Sequence, residues 1–299
     1  MMNATRRQAM LLGAGFGALA LAESLVDGRL TPAMAAEGTL AKIKARGHLI
    51  AGIANEQPYG YMNTDGKLTG SNIDVLRAIM EPLGVTQIEA PIVDFGALVP
   101  GLAAGRFDVI GAGLFIRPAR CKVIGFSNPV TRSGGAFLVK AGNPLQLHSL
   151  KDVANKKNVK FGTQTGSNQV QEAKDAGIEA NRLTLFDKDN EALAALQADR
   201  VDVIYFPDVE IVGLLKTAND PKIERALPFD QIPGPDGKPS FNYHAYGLPK
   251  GDEEFATAFN AELKKLRTSG RLLELLKPYG YTENELPPEN VTAAEVCAG

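Results

Sequence analysis

The chain has 299 residues, 44% of them apolar and 22% charged, and a net charge of −2. This is an ordinary soluble globular composition, with length for one large domain or two modest ones. A balance this close to neutral excludes a basic surface built for nucleic acid or anionic lipid.

Taken in chain order, the first segment reads as an export signal rather than as part of the fold. Thr5-Arg6-Arg7-Gln8 carries a twin arginine, and an apolar, Gly- and Ala-rich run from Ala9 to Ala22 follows. That run falls short of the ~20 residues a membrane-spanning helix needs. Ala33-Met34-Ala35 has the small-x-small form of a signal-peptidase site. Residues 1–35 are therefore expected to be a twin-arginine-type signal, cleaved after Ala35. An ordinary secretory signal with two chance arginines would export the chain equally. Cleavage removes Arg6, Arg7 and Arg29 together with Glu23 and Asp27, leaving a mature charge of −3.

Leu49–Ile53 reads as a buried strand. Asn72 reads as the cap of a helix whose apolar face is Ile73, Leu76, Met80 and Leu83, ended by Gly84. Leu98–Ala104 reads as a short helix, and Arg106–Ile110, Ala136–Val139, Val159–Gly162 and Val201–Phe206 read as strands. Asn190 is expected to cap a helix running to Asp199, and Phe255, Phe259, Leu263 and Leu266 mark a helix face near the end. Strands alternating with helices predict an α/β fold with mostly parallel sheets.

An internal echo predicts two lobes rather than one sheet. Gly-Arg-Phe-Asp-Val-Ile (Gly105–Ile110) and Asp-Arg-Val-Asp-Val-Ile (Asp199–Ile204) each read as helix, tight turn with Arg, then a strand opening on Asp. Loop-like breaks at Gly142-Asn143-Pro144 and Ile232–Pro239 put the crossings between lobes near residues 140 and 245. The expected division is lobe 1 from residues 36–140 and 246–299, regaining the C-terminal helices, and lobe 2 from 141–245. The two cysteines, Cys121 and Cys297, suggest one disulfide in an exported chain, tying the C-terminal tail to a distant loop. Two unrelated thiols are the alternative.

Catalytic and metal signatures are mostly missing. His48, His148 and His244 lack ligand spacing, and no Cys pair has zinc spacing. Gly111-Ala112-Gly113 starts like a dinucleotide fingerprint, but position 116 is Ile. No phosphate loop and no nucleophile elbow occur. No metal or cofactor is expected, and the balance leans toward a binding protein over an enzyme.

What the chain offers instead are polar and aromatic groups at the carboxyl ends of predicted strands, where open α/β sheets bind ligands. Glu56, Tyr59 and Tyr61 follow the first strand, and Phe95 follows Val93-Asp94. Gly113, Phe115 and Arg120 follow the strand ending at Ile110. Thr165, Gly166 and Ser167 follow Val159–Gly162, and Pro207 and Asp208 follow Val201–Phe206. Singly, each has a bland reading: an aromatic in the core, a solvated acid or arginine, a helix cap at Ser167. Their common address carries the functional reading. Arg120 can grip a carboxylate with two parallel hydrogen bonds. Aromatic faces attract a weakly hydrated cation, and Glu56 would neutralise it. Backbone N–H groups at a helix start near Ser167 could add to the carboxylate grip. The set describes a site for a small zwitterion.

At these residues the chain resembles the type-3 extracellular solute-binding proteins, the polar amino-acid receptors of ABC importers. The resemblance runs through Leu68–Val75, Leu98–Leu102 with Gly105–Asp108, Ile116–Arg120, Phe126–Pro129, Gly166-Ser167, Ala192–Leu196 before Arg200-Val201-Asp202, and Ser269–Leu272. Within that family, Ala54–Tyr61, Asp94–Leu102 and Ala112–Cys121 look most like the ectoine and hydroxyectoine receptors. The resemblance implies a two-lobed periplasmic binding protein fold of type II, its lobes joined by two hinge strands. It implies an aromatic cage of Tyr59, Phe95 and Phe115, with Arg120 on the carboxylate and Glu56 on a cyclic amidinium. It also implies a periplasmic, monomeric receptor whose partners are a small zwitterion and a membrane permease. Gly166 and Ser167 would contribute from lobe 2.

Two departures bear on the ligand. Amino-acid receptors of this family usually place an Asp five residues after the Asp matching Asp202, to bind the α-amino group. Here that position is Pro207, with Asp208 one place late, and a shift of one turns a side chain away. Thr163–Asn168 does not closely match the ectoine receptors, which leaves a polar amino acid or another compact solute such as a betaine open. An exported enzyme is the rival from another class. A few proteins similar to this family are dehydratases of cyclic acids that use a carboxylate as proton donor, a role Glu56 near Arg120 could fill.

Overall fold

The computed structural model describes residues 38–298 apart from 235, 236, 238 and 239. The expected export signal lies outside the described residues. Two sheets organise the rest. The first runs, edge to edge, Ile88–Glu89, Leu49–Gly52, Val109–Phe115, Asn242–Leu248 and Gly125–Phe126, with Thr131–Ser133 also paired to Asn242–Leu248. The second runs Leu183–Phe186, Phe161–Gln164, Val203–Pro207, Gly135–Lys140 and Ile223–Arg225.

In each sheet, pairs made through a helical crossover are parallel, and the strands that pass between sheets pair antiparallel. Sheet membership changes between Ser133 and Gly135 and changes back between Arg225 and Asn242. The expected crossings at 140 and 245 fall inside the strands Gly135–Lys140 and Asn242–Leu248. The Gly- and Pro-rich breaks mark loops beside the crossings rather than the crossings themselves.

Both faces of each sheet are covered, so each sheet has two apolar layers. On the first sheet, Val75, Leu76 and Ile79 of helix Ser71–Met80 pack with Phe255, Phe259 and Leu263 of helix Glu253–Thr268. Leu98, Leu102 and Phe107 cover the opposite face. On the second sheet, Leu193, Leu196, Ile211 and Leu214 form one layer, and Phe137, Phe161, Val153 and Tyr205 form the other. A strand sandwiched this way has no polar face, which is why Val109–Phe115 is buried at every position.

The internal echo has a physical basis. Gly105 and Asp199 both turn through positive φ, at +69° and +58°. Each then leads to an Asp that clamps one residue of the neighbouring segment. Asp108 donates its N–H to the Ile50 carbonyl at 2.8 Å, and its carboxylate accepts the Ile50 N–H at 2.8 Å. Asp202 does the same with Lys160, at 2.9 and 2.7 Å. These clamps stand before the ladders. The strands therefore begin at Val109 and Val203 and run on to Phe115 and Pro207, later than hydrophobic runs opening on Arg106 and Val201 suggest.

Asn72 is not a cap. The helix opens at Ser71 after Gly70, and Asn72 lies buried within it. Its end is at Met80, and Gly84 closes the turn beyond. Asn190 likewise lies inside a helix that begins at Asp189. Cys121 and Cys297 form a disulfide across a sequence separation of 176 residues, fixing the C-terminal helix Ala293–Ala298 beside the short helix Pro118–Cys121. Among the described residues no helix is long and apolar enough to cross a membrane.

Candidate functional site

The loop after Leu49–Gly52 is pinned to the next helix. The Ser71 and Asn72 N–H groups donate to the carbonyls of Pro58 and Tyr59, at 2.8 and 2.9 Å, and Tyr59 N–H turns back onto Glu56 O at 3.0 Å. This brings Glu56 and Tyr59 into the interior, where they are 3% and 2% exposed. Tyr61 is placed differently. It pairs in a half-buried hairpin with Leu68–Thr69, away from the others.

Gly113 makes room for Tyr59. It sits at φ +61° in mid-strand, and a Cβ there would fall 2.5 Å from the Tyr59 ring. Its carbonyl accepts from His244 Nδ1 at 2.7 Å, and Ser133 Oγ donates to His244 Nε2 at 2.7 Å. Burial holds the His244 pKa down at about 3, so the ring is neutral. Its centroid lies 4.0 Å from that of Phe115 and 5.4 Å from that of Tyr59. His244 therefore supports both aromatics from behind. Sequence reading set it aside for want of metal-ligand spacing, and no local spacing announces partners more than a hundred residues away.

Arg120 is held beside Phe115 and Gly166. Its Nη1 donates to Phe115 O at 2.8 Å, its Nη2 to Gly166 O at 2.9 Å, and its guanidinium stands 5.7 Å from the centroid of Phe95. Burial, with the nearby Arg117, lowers its pKa to about 10, so it stays charged at neutral pH. Phe95 is half-buried. The glycine at 166 (φ +73°) lets the two sheets approach, since a Cβ there would meet Gly96 Cα at 2.9 Å. The buried Ser167 Oγ has no partner among the described residues. The nearest helix begins at Gln169, so Ser167 does not cap it.

Pro207 ends its strand opposite Gly135 and is buried. Asp208 opens the next helix and folds its carboxylate onto the Val209 N–H at 2.7 Å. It lines a crevice of about 100 Å³ with Arg225, Tyr279 and Glu285, apart from Glu56.

Several polar groups near these residues escaped sequence reading. Gln164 donates from the second sheet to the Glu56 carboxylate. Burial, helped by Asp189, pushes the Glu56 carboxyl well above its ordinary range, while the Gln164 hydrogen bond opposes this. Arg117 donates to Glu172 Oε1 at 3.2 Å and to Asn168 and Asn242. Tyr205 completes the Glu172 shell at 2.9 Å. A cavity of about 480 Å³ opens beside that network. Glutamine and asparagine carry no motif, and no local pattern announces which of many will face a partner across a cleft.

The grouping thus joins Arg120 to Phe115, Phe95 and Gly166, His244 to Tyr59 and Phe115, and Glu56 to Gln164. Known proteins are similar to this chain. Residues 49–282 fit the model of the bacterial extracellular solute-binding proteins, family 3. A probable amino-acid ABC transporter periplasmic-binding protein, y4tE of Sinorhizobium fredii, is 33% identical over 272 residues, 90% of this chain and 89% of that one. The crystal structure of EhuB in complex with hydroxyectoine matches with a TM-score of 0.78 at 35% identity, covering 86% of this chain and 97% of that one. An ancestral arginine-binding protein bound to arginine matches with a TM-score of 0.68 at 29% identity, over 79% and 99% of the chains. The two covered sheets are the two lobes of a periplasmic binding protein fold, and the chain belongs to the bacterial extracellular solute-binding proteins of family 3.

Proposed function

We propose that this chain is the receptor of an ABC importer, exported to the periplasm, that holds a small amino-acid-like zwitterion between its lobes, with ectoine or hydroxyectoine first. Lobe 1 carries the first sheet and the C-terminal helices, lobe 2 the second sheet. One observation carries the reading: Arg120 and Glu56, of opposite charge, belong to the part of the chain that carries the first sheet, and each bonds a residue of the part that carries the second, at Gly166 and Gln164. A zwitterion is the ligand whose two ends match both. Likeness to the hydroxyectoine-bound EhuB supports the ligand class, and the absence of an Asp at Pro207 weighs against an ordinary α-amino group.

The ligand docks on lobe 1 and lobe 2 closes over it, excluding water that would weaken the charge pairing. Arg120, Tyr59, Phe95, Phe115 and Glu56 form the lobe 1 half, and Gly166, Ser167 and Pro207 border it from lobe 2. The closed form is what a membrane permease would read. A polar amino acid is the second reading, favoured by the likeness to the arginine-bound ancestral protein.

Thermal-shift and calorimetric titration of the purified mature chain with ectoine, hydroxyectoine, arginine and a neutral sugar tests this. Saturable binding of a zwitterion, recovered chemically intact, is expected. Binding of the sugar alone, or turnover of the ligand, would refute it.

A further inference from the structure

Two arginines three residues apart hold the two ends of one loop of the other lobe. Arg120 Nη2 donates to Gly166 O at 2.9 Å, and Arg117 Nε donates to Asn168 Oδ1. Arg120 belongs to the ligand site proposed above. Arg117 does not, and its remaining bonds lead away from that site.

They lead to Glu172. Its Oε1 accepts from Arg117 Nη2 at 3.2 Å, from Asn168 Nδ2 at 2.7 Å and from Asn242 Nδ2 at 2.8 Å, and its Oε2 accepts from the Tyr205 hydroxyl at 2.9 Å. Arg117 Nη2 also donates to Asn242 Oδ1. Each asparagine therefore accepts from the arginine and donates to the carboxylate, closing two rings on one ion pair. Two donors to Glu172, Arg117 and Asn242, come from the part of the chain that carries the first sheet. The other two, Asn168 and Tyr205, come from the part that carries the second. The Glu172 side chain is only 12% exposed. Moving the parts so that these distances pass about 3.6 Å would strip a mostly buried carboxylate of half its donors, its counter-charge among them.

The network stands where the chain crosses between sheets. Gly135 opens the strand that enters the second sheet, and Asn242 opens the strand that returns to the first. Gly135 leaves room for the Tyr205 hydroxyl, since a Cβ there would fall 2.1 Å from that oxygen. Gln231 clamps the same glycine, accepting its N–H at 3.0 Å and donating to its carbonyl at 2.9 Å. Arg117, Glu172, Tyr205 and Asn242 line the cavity of about 480 Å³, and none of the candidate ligand residues does. The ion pair thus joins the two lobes on a cavity other than the ligand's.

The geometry points to Arg117 and Glu172 as positioning residues. Their network holds the loop Gly166–Asn168 against lobe 1 and keeps the lobes together without touching ligand, so it sets the strength of binding rather than the choice of ligand. This rests on the inter-lobe receptor reading above. A binding-competent closed form that is only partly populated weakens every ligand by the same fraction. A residue that touches ligand changes some ligands more than others.

The experiment compares the mature chain with Glu172→Gln, Arg117→Met and the double variant, by small-angle scattering without ligand and by calorimetric titration with ectoine and L-arginine. Each single variant should enlarge the radius of gyration of the free protein and weaken both ligands by one common factor, about tenfold. The double variant should lose no more than the larger single loss, because the two residues act through one network. Tyr205→Phe removes one donor and keeps the ring. It should give a smaller loss in the same direction, and it takes the place of Glu172→Gln should that variant fold poorly. Unchanged scattering, unchanged affinity, or a loss confined to one ligand would overturn the positioning role, whatever the unfolding temperatures. If wild type binds neither ligand, the ligand reading fails and scattering alone decides the network: an unchanged radius in the variants would overturn it, and a larger one would uphold it.

Discussion

Arg120 and Glu56 are held on opposite principles. At the Arg120 end, one charge is half-buried and already engaged, with two donors on the carbonyls of Phe115 and Gly166 and an aromatic ring alongside. At Glu56, the carboxylate is almost wholly buried and accepts from Gln164 of the second sheet. Arg120 already has protein partners on both sides. On the receptor reading proposed above, Arg120 is held in place by protein carbonyls, whereas Glu56 is buried against one amide and gains most from a cation beside it.

Removing the prebuilt charge should do the most damage. Arg120→Ala should weaken zwitterion binding by about 3–5 kcal/mol, because the ligand carboxylate is then buried without its partner. Calorimetry checks this, and an unchanged affinity would sink the assignment of Arg120. Glu56→Gln should cost about 2–3 kcal/mol of binding while leaving the unliganded protein no less stable, a split that titration and thermal unfolding can separate. Tyr59→Ala should cost about 1–2 kcal/mol of cation affinity. Tyr59→Phe keeps the ring and isolates the hydroxyl, so comparing the two divides π contact from hydrogen bonding.

The smallest expected effect concerns pH. Asp189 ionises at about 6 in the folded chain, above its ordinary value of about 3.9. Its protonated form is therefore favoured by folding. That contribution is fully present below the unfolded value and is lost as pH rises through about 6. His244 works the other way. Its pKa is depressed to about 3, so its contribution is present above the ordinary histidine value and is lost as pH falls toward about 3. A single stability profile mixes the two, whereas a variant isolates one. The stability difference between Asp189→Asn and wild type, both without ligand, should favour the variant more at about pH 8 than at about pH 5. A pH-independent difference would mean that Asp189 does not titrate in that range.

Legibility differed along the same divide. The α/β pattern, the paired helix–turn–strand units and the tight cluster from Glu56 to Tyr59 could be read directly, because short-range spacing fixes them. Strand starts were misjudged at Arg106 and Val201 because a hydrophobic run does not reveal that the Asp within it clamps a neighbour before the ladder begins. Asn72 looked like a cap because its side chain suits one, yet Gly70 is what permits the turn into the helix.

By itself, the sequence determined the kind of molecule: alternating strands and helices, two similar units, and an arginine and a glutamate at strand ends. Local pattern suffices where the physics is local, in periodicity, turns and the reach of a clamp. Only the tertiary structure decided that His244 would stand behind Phe115 and Tyr59, and that Gln164 would reach Glu56. Those meetings depend on how two sheets set their loops against each other, and no spacing within one segment encodes the groups that another segment brings.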